Sequence, residues 1–288
     1  MTQGQDRMNG SISTETAVPS KPTISWGHDS PELAVAYDEV GIRQFEQGKL
    51  LISSLNIAEG ECVLDIGAGT GRLAAYVAGI VGPCGRTVAI DPLPLRIEIA
   101  KTKADGNFEA RVGRAEDLCE FSNETFDVVY LNSVFHWVED KPRALAEILR
   151  VLRPGGRIGM SSLDPDRPHQ VRTLVGRAVE DAGVRIDPRA VYPSAGICGH
   201  ELGKRLATAG FVECRWEQRT FVEIFADLDS LIAWVSSSTF GNFLVGVSDV
   251  DRDRLIEALC RLLEPYRVPE GLRLERHLIF ATARRAAA

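Results

Sequence analysis

The chain has 288 residues, 44% of them apolar, and a formal net charge of −7 at neutral pH. That length suits one large globular domain or two small ones, and no apolar run approaches the roughly 20 residues of a membrane span. The acidic balance offers no overall basic surface to a phosphate backbone, so neither nucleic acid nor membrane is expected as a partner.

Residues 1–24 are rich in Ser and Thr and lack the apolar segment of a secretory signal, so a disordered tail is expected there. Six cysteines stand at 62, 84, 119, 198, 214 and 260, with no C-x-x-C pair and no clustering with the histidines. Neither a zinc site nor a disulfide framework is expected, no metal ligand set is seen, and a cytoplasmic setting fits.

Order is expected from near Trp26. Ser30 can cap a helix with Pro31 at its first position and Glu32 near the positive end of its dipole. Phe45, Leu50, Leu51 and Leu55 repeat at helical spacing in the next segment. From residue 61 strands and helices alternate. "CVLDIG", "RTVAID", "NFEARVG", "FDVVYLN" and "RIGMSSL" read as strands. "GRLAAYVAGIV", "PLRIEIAKTKA" and "KPRALAEILRVL" read as the helices between them, and Pro154-Gly155-Gly156 as a sharp stop and turn. This is an α/β pattern, a Rossmann-like, mostly parallel sheet with helices on both faces.

Farther along, "HQVRTLVGRAVEDAGV" and "HELGKRLATAGF" read as helices and "VECRWEQRTFVEIF" as a long strand. Two more helices precede a last strand, "LERHLIFATARR". The two late strands pair as an antiparallel hairpin at one sheet edge, with the helices between them as a small cap at about 225–272. Residues 25–288 are thus read as one domain, with an N-terminal helical lid.

The stretch "DIGAGTGR" places Gly67, Gly69 and Gly71 between a strand and its helix. In open α/β sheets that turn lies at the carboxyl edge, where ligands bind. A dinucleotide fingerprint needs G-x-G-x-x-G, but Arg72 occupies the third glycine position, which weakens a nicotinamide cofactor. Asp91 ends the second strand, where a carboxylate can accept hydrogen bonds from both ribose hydroxyls of any nucleoside.

"VLDIGAGTGRLA", "VAIDPLPLRIEIAK", "GRAEDL", "FDVVYLNSVFHWV" and "EILRVLRPGGRIGMSS" together resemble the ordered motifs of class I S-adenosylmethionine-dependent methyltransferases. The resemblance is to the type 11 small-molecule branch, and is strong over about residues 30–163. It implies a seven-stranded sheet with a reversed last strand and S-adenosyl-L-methionine as co-substrate. Asp65, Gly67, Gly69 and Gly71 would then surround the methionine moiety, with Asp65 on its α-ammonium. Asp91 would hold the ribose, Pro92 and Leu93 the adenine, and Ala115 and Glu116 its polar edge. Asn132 would lie near the sulfonium.

Methyl transfer from a sulfonium is an in-line displacement, so the protein chiefly aligns the nucleophile and excludes water. His136, four residues after Asn132, is the candidate general base where the acceptor must lose a proton; Trp137 adjoins it. In the N-terminal segment, with Trp26 and His28, Tyr37 can cap the methionine end. Trp234, Phe240 and Phe243 mark the cap as either core or acceptor pocket. A small, largely apolar acceptor in a water-poor pocket is expected, and "WGHDSPELAVAYD" with "LNSVFHWV" most resembles members of the family that methylate carbon or nitrogen of specialised metabolites. The alternatives are arsenite methylation through the cysteines and a nucleoside-binding partner subunit without catalysis. A homo-oligomer is left open.

Overall fold

The structure is a computed structural model that describes residues 29–186, 196–237, 243–244 and 246–287. The expected tail, Trp26, His28 and Phe240 lie outside those residues.

Among the described residues, eight strands form one sheet: β1 (Cys62–Ile66), β2 (Arg86–Asp91), β3 (Phe108–Val112), β4 (Phe126–Asn132), β5 (Leu152–Leu163), β6 (Phe211–Phe225), the short β7 (Arg267–Val268) and β8 (Gly271–Arg285). Their order is β3-β2-β1-β4-β5-β8-β6, with β7 paired to β8. The first five pair with one another in parallel, while β8 runs antiparallel to both β5 and β6. The reversed last strand therefore makes one edge of the sheet antiparallel, as expected. The two-residue β7 was not anticipated, being too short to leave a pattern.

Residues buried on both faces explain why β1 and β4 are largely apolar, with Asp65 the one charged residue inside β1 and Asp127 near the start of β4. On one face, Leu51 and Leu55 of α2 (Ile42–Leu55) and Val77 and Val81 of α3 (Arg72–Val81) pack on Val63, Val128 and Tyr130. On the other, Leu145 and Ile148 of α5 (Lys141–Val151) cover Leu64, Val129 and Leu131. Leu202 and Leu206 of α7 (Gly199–Thr208) join the same cluster. Leu50, in phase with the apolar positions of α2, is 41% exposed. Strand order reverses between β1 and β4, which opens a crevice at their carboxyl ends.

Two local expectations are settled in detail. Ser30 Oγ accepts the Leu33 N–H at 3.2 Å, with Pro31 opening α1 (Pro31–Val40). Pro154-Gly155-Gly156 does not stop the chain ahead of a strand, which corrects the expected turn. Leu152 already pairs with Phe126, and the next pairing is Arg157 with Val128, so the intervening residues bulge from β5. Gly155 supplies φ +77° there.

β6 and β8 outrun the sheet. β5 pairs with β8 no farther than Leu163 opposite Leu278, whereas β6 and β8 continue to Phe225 opposite Leu272. This two-stranded ribbon stands beside the carboxyl-edge crevice. Around it, α6 (Gln170–Ala182), α8 (Leu228–Ser236) and α9 (Asp249–Leu263) bury Leu174, Leu231, Leu255 and Leu259 with Phe225 and Leu274 as a second core. No helix among the described residues is long and apolar enough to cross a membrane.

Candidate active site

The glycine loop follows β1 directly. Gly67, Gly69 and Gly71 have φ of +75°, +56° and +77°, a region in which a side chain is strained. A Cβ on Gly67 would lie 2.3 Å from Val134 Cγ2, and one on Gly69 would lie 3.0 Å from the Tyr37 ring. Both line a cavity of about 180 Å³ at the carboxyl edge. Gly71 turns the other way, where a Cβ would meet Ala100 at 2.8 Å. It serves the packing of α3 on α4 (Pro94–Lys103), outside the cavity lining.

Asp91 organises this loop. Its Oδ2 accepts the Gly69 N–H at 2.8 Å and its Oδ1 accepts the Leu93 N–H at 2.9 Å. Burial raises its carboxyl above the ordinary value, against Arg96 and those two backbone donors. Pro92 and Leu93 continue the same wall. Arg96, which sequence reasoning missed, lies 3.8 Å from Asp29 and stacks 4.0 Å from the Tyr37 ring. Tyr37 is thus clamped between Arg96 and Gly69, and burial pushes its phenol up. Asp38 anchors the same helix, taking 2.6 Å and 3.1 Å hydrogen bonds from Thr70 Oγ1 and Lys103 Nζ.

Asp65 is buried and accepts the Tyr130 hydroxyl at 2.7 Å. Burial pushes its carboxyl up to about 8, with Tyr130 opposing and Asp91 assisting. It opens on a small adjoining cavity of about 50 Å³ shared with Tyr37, Gln44, Gly67 and Asn132. A buried acid held above neutrality suits a cationic ammonium, which would favour its carboxylate form. The Asn132 side chain is engaged, donating to the Gln44 carbonyl at 3.1 Å and accepting from Ser161 Oγ at 2.7 Å. Ser133, next along, holds φ +60°, a strained value for a non-glycine residue.

Ala115 and Glu116 lie outside this lining. Ala115 belongs to the apolar core, and Glu116 Oε1 accepts the Glu139 N–H at 3.0 Å with Arg114 3.7 Å from Oε2.

The remaining wall faces away from the glycine loop. His136 sits in a 3₁₀ turn (Phe135–Trp137), its Nδ1 3.2 Å from Ser162 Oγ and its ring 4.9 Å from that of Trp137. Burial pushes its imidazole well below the ordinary value, with Arg172, Lys141 and Arg276 acting in the same direction. It is neutral at physiological pH, and a weaker base than an exposed histidine. Val134, Leu163, Val171, Val235 and Trp234 supply apolar surface. The expectation of an apolar compartment holds for only that part, because His169, Arg172 and Arg276 complete the lining. Phe243 belongs to the cap core.

Behind this wall lies a buried polar group. Glu223 Oε1 accepts Gln47 Nε2 at 3.1 Å and faces Arg276 Nε at 3.3 Å. Burial opposes the Glu223 charge, yet His169, Arg276 and Arg43 hold the carboxyl below its usual range. His169 caps α6, its Nδ1 accepting the Val171 N–H at 3.1 Å. That bond puts the imidazole proton on Nε2, 3.6 Å from Glu223 Oε2. Burial holds this imidazole down at about 4, against the pull of Glu223.

Sequence reasoning missed Glu223 and Arg276, although a signal existed. In "FVEIF" and "LRLERHL" they occupy the alternate positions that Phe221, Phe225, Leu272, Leu274 and Leu278 mark as inward. A charge in the inward phase of each of two paired strands announces a buried ion pair.

A glycine loop at the switch point, an acidic residue ending β2 and a cavity running past β4 have the arrangement of a nucleoside-binding site on a Rossmann-like fold. Residues 64–160 match the family model described as a methyltransferase domain. The chain is 28% identical over 214 residues to the malonyl-[acyl-carrier protein] O-methyltransferase of Methylococcus capsulatus, covering 69% of this chain and 74% of that protein. It is 28% identical over 231 residues to the arsenite methyltransferase of Mus musculus, covering 70% of this chain but only 59% of that protein. Phosphoethanolamine N-methyltransferase 2 of Haemonchus contortus, solved with S-adenosyl-L-methionine, shares the fold at a TM-score of 0.57 and 15% identity, over 92% of this chain and 60% of that one. Residues 64–160 thus form a methyltransferase domain, and these matches support S-adenosylmethionine-dependent methyl transfer on a Rossmann-like fold.

Proposed function

We propose that this enzyme methylates carbon or nitrogen of a small organic acceptor, in the cytoplasm and within specialised metabolism. The observation that carries the reading is one continuous cavity. It joins Gly67, Gly69 and Asp91 on one side to His136, Trp137 and Trp234 on the other, so both substrates share an enclosure. Residues 25–288 act as one domain, with the cap at about 225–272 and α6 closing the acceptor side.

When bound, S-adenosylmethionine supplies a methyl group activated on a sulfonium. The glycine loop lets backbone approach that molecule, Asp91 holds its ribose, and Asp65 accepts its ammonium. Trp137 and Trp234 flank a flat acceptor body and exclude water. Neutral His136 takes the proton where the acceptor must lose one, with Ser162 orienting its ring. Tyr37, held by Arg96, covers the methionine end. Ala115 and Glu116 remain the proposed partners of adenine, after an adjustment of the Glu139 loop.

Arsenite chemistry would need thiols at the methyl, and none of the six cysteines lines the cavity. Cys62 begins β1 at the opposite end of the sheet. Turnover of labelled cofactor against a metabolite panel tests the reading, with a variant carrying serine at all six cysteine positions beside the wild type. Transfer to an organic acceptor by both proteins is expected. Transfer to arsenite that disappears with the thiols would replace the reading, and cofactor binding without any transfer would favour the catalytically silent subunit.

A further inference from the structure

The acceptor wall holds a cation with an unused donor. Arg276 is 4% exposed, and its Nη2 has no hydrogen-bond partner among the described residues. Its Nε faces Glu223 Oε1 at 3.3 Å as an ion pair without a formed hydrogen bond, and Arg276 is among the residues that line the cavity. Trp234, 5.8 Å from Arg276 by ring centroid, contributes a second buried donor without a partner, its indole N–H. A buried donor left unpaired costs free energy, so two on residues that line one ligand cavity favour an acceptor group that arrives with the ligand, although Glu223 Oε2 and Gln47 Oε1 beside them are unpartnered as well.

We propose that Arg276 is a specificity-determining residue that docks a carboxylate of the methyl acceptor, with the Trp234 N–H beside it. The inference rests on the methyl-transfer reading of this cavity. A carboxylate fits better than a phosphate for two reasons. Glu223 already pairs with Arg276, so a monoanion adds less negative charge beside it than a phosphate dianion would. The planar pair of carboxylate oxygens also matches the planar donor edge of arginine. The acceptor is therefore an amphiphile: a flat body between Trp137 and Trp234, and an acid end at the β6–β8 ribbon. This replaces the largely apolar acceptor expected from sequence.

The test uses the full chain saturated with S-adenosylhomocysteine and titrated calorimetrically with matched acids and amides: benzoate against benzamide, and indole-3-acetate against indole-3-acetamide. Each pair shares its shape and differs in charge. The acid is expected to bind about ten- to hundredfold more tightly than its amide. Arg276→Gln alone would leave Glu223 buried and uncompensated and could unfold the ribbon, so the decisive protein is R276Q/E223Q, which removes both charges at nearly constant volume. In that variant the preference for acid should vanish while affinity for S-adenosylhomocysteine stays within about twofold. A wild type that binds the acids no better than the amides, or binds neither, overturns the proposal. So does a preference that survives in R276Q/E223Q. Failure of S-adenosylhomocysteine to bind would count against the methyl-transfer reading alone, because the acid–amide comparison can be repeated on the unloaded protein.

Discussion

Gly69 and Asp91, 22 residues apart, are joined by a 2.8 Å hydrogen bond from the loop N–H to Oδ2. The second oxygen of the same carboxylate holds Leu93 at 2.9 Å. Asp91 thus shapes the glycine loop and the β2–α4 turn before any ligand is present, and the lone pairs left over face the cavity. Asp91→Ala removes both functions. S-adenosylhomocysteine affinity should fall about ten- to hundredfold, with a stability loss of about 1–3 kcal/mol from the freed backbone donors. Calorimetry and urea unfolding read the two losses separately. A folded variant with wild-type affinity would remove Asp91 from the site.

If Asp65 takes the cofactor's ammonium as proposed, it couples cofactor binding to protons. Its carboxyl, held at about 8, is protonated at neutral pH in the ligand-free chain. Binding a cationic ammonium against it releases that proton, so affinity should rise with pH until about 8. The effect on folding has the opposite sense. The folded chain holds this proton more tightly than the unfolded one, so Asp65 subtracts stability progressively as pH rises from the ordinary carboxyl value toward about 8. Calorimetric titrations in two buffers of different ionisation enthalpy count the proton. Asp65→Asn should abolish the release and leave the ligand-free chain more stable at neutral pH. Proton uptake, or none, would contradict the assignment.

His136 is displaced in the direction that keeps it neutral, so no rise in rate through the ordinary histidine value is expected; any inflection from this group lies well to the acid side. His136→Ala should lower the rate by about 10²–10⁴-fold if the acceptor loses its proton to it, with cofactor affinity nearly unchanged. His136→Gln, which keeps a polar group near Ser162, should restore folding but not rate. Rates equal to wild type in both variants would leave alignment and exclusion of water as the whole catalytic device.

His169 makes the cap sensitive to acid. Held at about 4, it resists protonation in the folded chain, whereas the unfolded chain takes the proton near the ordinary value of 6.5. Its contribution is complete above that value and is lost as pH falls toward about 4, by up to about 3 kcal/mol. His136 acts in the same sense. His169→Asn can still accept the Val171 N–H but does not titrate, so its urea midpoint should change less than that of wild type between about pH 7 and about pH 5. An equal drop in both proteins would assign the acid sensitivity elsewhere.

The sequence by itself determined the sheet, the reversed last strand and the place of the cofactor loop. Those features rest on local rules: apolar runs for strands buried on both faces, Ser30-Pro31 for a helix start, and Gly67 and Gly69 where backbone needs positive φ. It also placed His136 and Trp137 at the site, because they follow β4 directly. Tertiary structure decided what distance along the chain concealed. Gly71, read with its neighbours, packs on Ala100, since the loop turns it outward. Asp91 reaches back to Gly69 because β2 lies beside β1. Arg96 meets Tyr37 only through the docking of α1 on α4. Arg276 and Glu223, 53 residues apart, become one buried pair because β6 and β8 run past the end of β5 and carry them over the cavity. A charge looks solvated in a sequence wherever the partner that allows its burial belongs to another strand.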